Sequence, residues 1–137
     1  MATLSGFLNP KKIETVSFAL SDRFVDENGE PLEWKIRCVS GDEIKTIQNA
    51  CTKTIRTGNK TRTEFDTQKF QDCILAAAVV EPNPNAADLL DAYGVMSPEK
   101  IFGKMLTGAE YLKLFSEVSR INGLNEDFNS LVEEAKN

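Results

Sequence analysis

Leu32-Glu33-Trp34-Lys35-Ile36-Arg37-Cys38-Val39-Ser40-Gly41-Asp42-Glu43-Ile44 holds the change of period on which the fold turns. From Leu32 to Cys38, apolar residues alternate with charged ones, the period-two pattern of a strand with one buried face. At Ser40 the alternation stops. Ser40 followed three residues later by Glu43 is a capping box, in which hydroxyl and carboxylate each accept from a backbone N–H that the first helical turn leaves without a partner. Beyond it Ile44, Ile47, Ala50, Cys51 and Ile55 recur at helical spacing and form one stripe. The chain is therefore predicted to be α+β: an N-terminal β-hairpin followed by a mainly α-helical orthogonal bundle.

Upstream, Val16, Phe18 and Leu20 alternate with polar or small residues and supply the partner strand. A two-residue loop would put Arg37 opposite Leu20 and throw one apolar set onto the wrong face. A three-residue loop, Glu27-Asn28-Gly29, restores parity. It predicts Phe24 opposite Leu32, Leu20 opposite Ile36 and Phe18 opposite Cys38, with Gly29 in the left-handed position. Asp22 falls on the apolar side of this register, so a bulge or strand end is expected near Ser21-Asp22. Residues 1–14, interrupted by Pro10, read as an extended arm, either frayed or docked on a partner. Residues 15–137 read as one compact domain, with the hairpin at 15–40 and the helical part at 41–137.

Downstream, residues 57–64 are polar and contain Gly58-Asn59, a loop or short irregular ribbon. Asp66 is positioned to cap a helix that carries Phe70, Cys73, Ile74 and Ala77 inward, with Phe65 and Phe70 as a hydrophobic staple; Pro82 and Pro84 end it. Asn85 is expected to cap a short helix over 86–93 closed by Gly94. Ser97-Pro98-Glu99 starts another, with Ile101, Phe102, Met105 and Leu106 on its apolar face. Thr107-Gly108-Ala109-Glu110 is a second capping box, opening a helix stopped by Gly123. Asn125 would cap a last helix bearing Phe128, Leu131, Val132 and Ala135.

Composition narrows the chemistry. The 137 residues include no histidine, so Ser-His and Cys-His nucleophile pairs, imidazole bases and His-containing zinc sites are excluded. Cys38, Cys51 and Cys73 are widely spaced and read as small core residues in a reducing compartment. The glycines fall at turns and caps, with no phosphate-cradling motif. Asp26-Glu27-Asn28-Gly29-Glu30 lacks the ligand spacing of a calcium loop. No catalytic residue, metal site or cofactor is expected. The formal net charge is −5, with the acidity concentrated in residues 71–137, which argues against a nucleic-acid binder. The local exception is Lys53, Arg56, Lys60, Arg62 and Lys69, better explained as a solvated loop because no aromatics interleave it. The longest apolar run, residues 74–80, is seven residues, too short for a membrane span, and the N-terminus does not resemble a signal peptide. A soluble intracellular protein is expected.

Two places offer apolar residues to a partner. Phe7 and Leu8 in the arm have no periodic partners. Leu89, Leu90 and Tyr93 sit beside Asp88 and Asp91 on a short helix, where they are either core and rim or a partly exposed patch.

An ordered series of motifs resembles the XkdN-like family of phage tail assembly chaperones. It runs from Leu8-Asn9-Pro10 and Leu20-Ser21-Asp22-Arg23-Phe24 through Trp34-Lys35-Ile36-Arg37, Ala50-Cys51-Thr52-Lys53 and Phe65-Asp66-Thr67. It continues with Val79-Val80-Glu81-Pro82-Asn83, Asp91-Ala92-Tyr93-Gly94-Val95 and Gly108-Ala109-Glu110-Tyr111, and closes on Ile121-Asn122-Gly123 and Leu131-Val132-Glu133-Glu134. The resemblance implies a non-enzymatic factor of the host bacterial cytoplasm. Such a factor binds the tail tape measure protein transiently, supports assembly of tail tube protein around it, and is absent from the mature virion. It carries over no catalytic, cofactor or binding residue. Self-association fits a chaperone that coats a long client. The alternatives are a structural tail or baseplate component and, less favoured, a nucleic-acid-binding regulator.

Overall fold

The computed structural model describes residues 3–124. Their element order is α1 (Leu4–Leu8), β1 (Val16–Ala19), β2 (Glu33–Ile36), α2 (Gly41–Ala50), β3 (Thr52–Thr57), β4 (Lys60–Phe65), α3 (Thr67–Ala78), β5 (Val79–Glu81), α4 (Ala87–Ala92), a 3-10 turn (Pro98–Lys100), α5 (Ile101–Met105) and α6 (Gly108–Asn122). The fold is α+β, as the change of period at Ser40 implies. The expected helix after Asn125 lies outside the described residues.

One sheet has the order β1-β2-β5, all antiparallel. Its inner face presents Trp34, Ile36 and Val79, which join Phe70, Ile74 and Leu75 of α3, Ile101 and Phe102 of α5, and Leu114 and Val118 of α6 in a single core. Trp34 is the one tryptophan of the chain and is 2% exposed. Both capping boxes form: Ser40 with Glu43 on α2 and Thr107 with Glu110 on α6. Phe65 and Phe70 make the staple, their ring centroids 5.4 Å apart, and Asp66 accepts from the Lys69 N–H. Gly123, at φ 65°, stops α6.

The hairpin keeps its predicted parity but slips by four residues. At the turn, the Asp26 N–H donates to the Glu30 carbonyl, the Leu32 N–H donates to the Phe24 carbonyl, and Gly29 takes φ 80°. Further along, Phe18 pairs with Trp34 and Val16 with Ile36, in place of Cys38 and Leu20. The chain leaves the ladder after Ala19 and rejoins it by Phe24, so the expected strand end at Ser21-Asp22 spans several residues. Two cations, Lys113 of α6 and Arg23 of the detour, tie this detour to the helical part. Lys113 Nζ donates to the Leu20 carbonyl at 3.1 Å, and the Arg23 guanidinium forks onto the Glu110 carboxylate while also donating to the Met105 carbonyl at 3.2 Å. The slip is even, so Val16 and Phe18 stay on the same face as Ile36 and Trp34 and pack against the core.

Other expectations are corrected. The arm is not extended throughout: Leu4–Leu8 is a short helix that ends before Pro10, and none of its residues is buried. Helix α2 stops at Ala50, so Ile55 is not on its stripe; of the two expectations for residues 57–64, a loop or a short irregular ribbon, the ribbon is nearer, but it is regular and begins earlier. Strands β3 and β4 form a regular hairpin around Gly58-Asn59, with Ile55 paired to Arg62 and Thr57 to Lys60. Thr52, Thr54, Thr57, Thr61 and Thr63 explain it, because β-branched residues favour a pleated ribbon over a helix. Gly58, at φ 63°, makes the tight turn. Residues 79–81, read from the sequence as the end of a helix, form β5 and close the sheet. Asn85 does not cap α4: Ala86 holds that position without a side-chain bond, while the Asn85 N–H donates to Asn83 Oδ1.

Candidate protein-binding groove

The detour of residues 20–24 has a consequence for the surface. It holds Phe24 edge-on to Trp34, with ring centroids 5.8 Å apart at 66°, and Trp34 in turn lies 5.9 Å from Phe102. Arg23, fixed by Glu110, sits 5.0 Å over the Phe24 ring. Phe24 and Trp34 form the floor of an open groove of about 440 Å³ between the end of β2, the end of β5 and helix α4. Its apolar lining comes from Phe24, Leu32, Trp34, Pro82, Leu89, Tyr93 and Met105, and its polar lining is Glu33 and Glu81. Leu32 is 46% exposed and Tyr93 36% exposed, so the wall is open to solvent while the tryptophan floor is not.

The Arg23–Glu110 fork that sets the floor is electrostatically tight. Glu110 is pulled well below the usual carboxylate range, first by the hydrogen bond from Arg23, then by Ser21 and the Thr107 N–H. One residue further along α6, the Tyr111 hydroxyl donates to Asp72 Oδ1 at 2.6 Å and joins α6 to α3. Burial there pushes the Tyr111 phenol up, and the adjoining Asp72 carboxylate adds to it. At the other end of α6, Asn122 accepts from the Val39 N–H at 2.8 Å and donates to the Arg37 carbonyl at 3.3 Å, so both ends of α6 clamp the first hairpin.

The residues singled out from the sequence are placed unequally. Leu89 and Tyr93 line the groove. Leu90, beside them, packs against the core with Leu89, and its carbonyl accepts from the Val95 N–H where Gly94 closes the helix. Phe7 and Leu8 do not meet these residues; they stand 74% and 68% exposed on α1. The aromatic floor was missed from the sequence, because Phe24 and Trp34 read as ordinary hairpin core residues. Pro82 was missed as lining because it read only as a helix stop.

The basic cluster is split between the exposed β3–β4 hairpin, which carries Lys53, Arg56, Lys60 and Arg62, and Lys69 on α3. Arg62 pairs with Glu64 at 3.1 Å. Cys51 is buried, and burial pushes its thiol up to about 12. Burial raises Cys73 as well. Cys38 donates to the Ile121 carbonyl at 3.2 Å. Both Cys51 and Cys73 are thus shifted away from the lowered pKa of an activated nucleophile. Among the described residues no group of three or more Cys, Asp or Glu is placed to hold a metal, and no helix is long and apolar enough to cross a membrane.

An open apolar groove with an aromatic floor is a surface on which apolar side chains of another polypeptide can lie. The sequence profile of the phage XkdN-like tail assembly chaperone protein family matches residues 4–136. The chain belongs to this family. Across 139 aligned residues, spanning 98% of this chain and 93% of the relative, it is 28% identical to the phage-like element PBSX protein XkdN of Bacillus subtilis strain 168. Over the same span it is 30% identical to the uncharacterized protein YqbN of that strain. The crystal structure of YqbN superposes with a TM-score of 0.76 at 25% identity, covering 90% of this chain and 98% of that one. The groove thus belongs to a tail assembly chaperone family member whose fold a solved relative shares.

Proposed function

We propose that this chain is a non-enzymatic tail assembly chaperone. It binds the tail tape measure protein transiently in the host cytoplasm and holds it ready for assembly of the tail tube protein, and it is absent from the finished virion. The observation that carries the reading is the groove of Phe24, Trp34, Leu89 and Tyr93 on a chain of this family. A long helix-rich client presents apolar residues along one face, and such a face lies naturally in an apolar groove. The groove is open and modest in size, which suits a contact that must be released. The chaperone's acidic surface keeps it dispersed while it does so.

The test is co-expression with overlapping fragments of the tape measure protein, scored by pull-down and by client solubility. At least one fragment should be retained and made soluble, and Tyr93→Glu or Leu32→Glu should weaken its retention at least tenfold. Failure to bind any fragment overturns the reading. Mass spectrometry of purified particles addresses the alternative: stoichiometric presence in mature tails would make the chain a structural tail or baseplate component.

A further inference from the structure

The same chain carries an element with the complementary character. In α1, Leu4, Phe7 and Leu8 stand at i, i+3 and i+4, one face of a helix, and are 72%, 74% and 68% exposed. A five-residue helix is far below the length at which a helix holds itself together in water, and this one buries nothing within its own chain. Its apolar stripe therefore calls for an external surface. The arm continues through Lys11 and Lys12 to Ile13, which is 73% exposed, and residues 3–13 contain no acidic side chain. The groove's charged lining is acidic: Glu33 and Glu81 line it, Glu81 only at the 4.0 Å limit from Lys35 Nζ, Asp88 and Asp91 are exposed on the helix that forms its wall, and the one cation over its floor, Arg23, is paired with Glu110.

We propose that the groove is the docking site for the N-terminal arm of a second copy of this chain. Leu4, Phe7 and Leu8 lie against the aromatic floor, and Lys11 and Lys12 lie toward Glu33 and Glu81. Three apolar side chains cover far less than the ~800 Å² per partner of a standard interface, so the contact is weak and concentration-dependent. Reciprocal exchange of two arms gives a closed dimer, and one-way insertion gives open chains. In either case the arm shields the groove until a tighter ligand displaces it. The inference stands on the arm and the groove alone and is tested without any client.

Sedimentation velocity of the full chain at low salt, from micromolar to millimolar concentration, should show reversible self-association. Phe7→Asp should abolish it; that side chain has no buried contacts, so the fold is untouched. The charge-reversed arm (Lys11→Glu with Lys12→Glu) and the charge-reversed groove (Glu33→Lys with Glu81→Lys) should each be monomeric alone and should associate when mixed. Trp34 adds a direct readout. A synthetic peptide of residues 3–14 added to the Phe7→Asp chain should shift tryptophan emission saturably, and the same peptide carrying Phe7→Asp should not. A chain that stays monomeric at every concentration and is blind to the peptide overturns the proposal. So does self-association that survives Phe7→Asp, since another face would then be responsible.

Discussion

Glu43→Gln isolates one charged link between the sheet and the helices. The Glu43 carboxylate receives the Arg37 guanidinium in a fork, with Nη1 at 3.0 Å from Oε1, and also accepts from the Ser40 N–H at 3.0 Å. These bonds, with Arg37 the largest contributor, bring its pKa from 4.5 to about 2. At face value that difference is roughly 3 kcal/mol of folding free energy at neutral pH. The two side chains are 38% and 37% exposed, so water screens the pair and about 1 kcal/mol is the expected cost of the amide. The sign follows from the lowered pKa. The stabilisation is complete above 4.5, where the unfolded carboxyl is ionised, and is lost as pH falls toward 2. Urea unfolding followed by Trp34 fluorescence should therefore show the variant less stable by about 1 kcal/mol at pH 7. By pH 3 that gap should shrink to less than half. A gap unchanged between the two pH values would refute the electrostatic account and leave only a packing effect.

Three further outcomes test the rest of the structure. Phe102→Ala, at a side chain 1% exposed beneath Trp34, should cost about 3–5 kcal/mol in urea unfolding; a loss below about 1 kcal/mol would mean the ring is not part of the core. Gly123→Ala, forced to φ 65°, should cost about 1–2 kcal/mol, whereas Gly41→Ala, which has open space at its Cβ and no positive φ, should be near neutral by thermal melting. In the native chain at pH 8, Cys51 should resist thiol reagents, its thiol being buried and its pKa about 12; labelling of Cys51 at the rate of the unfolded chain, mapped by peptide mass, would contradict this placement.

Local signals were readable where a few neighbouring residues settle the matter. The capping boxes at Ser40 and Thr107, the staple of Phe65 on Phe70 and the stop at Gly123 all involve partners within about one turn or two of the helix. The parity of the first hairpin was readable for the same reason, because Gly29 and the alternation fix it together. The four-residue slip was not readable. It depends on Arg23 reaching Glu110 and on Lys113 reaching Leu20, contacts that join distant parts of the chain and leave no local trace. The β3–β4 hairpin was misread because Ile44, Ile47, Ala50 and Cys51 are helically spaced and Ile55 happens to continue the series. The run of threonines, whose branching disfavours a helix, was the better guide. β5 was unreadable because Val79 and Val80 extend an apolar helix, and only the open edge of β2 turns them into a strand. For the groove, Leu89 and Tyr93 were identifiable as apolar residues beside charges, but their companions Phe24, Trp34 and Pro82 come from three other segments.

The placement of the groove on the fold has a thermodynamic logic. Ile74, Leu75, Phe102, Leu114 and Val118, all strongly buried, belong to α3, α5 and α6. The outer wall of the groove is α4, six residues long, with no buried residue and no side-chain cap. A helix this short, held to the core only through half-buried Leu89 and Leu90, is expected to open at a lower free-energy cost than unfolding the chain. The floor behaves oppositely, since Trp34 is locked between Phe24 and Phe102 and Phe24 is held in place by the bulge that Arg23 anchors to α6. A rigid floor with a yielding wall can accept apolar faces of different shape, and release them, without disturbing the core. For the transient holding of a client proposed above, that division matters more than affinity. It also means that substitutions on the wall at Tyr93, which is 36% exposed, should separate binding from stability, whereas substitutions on the floor cannot.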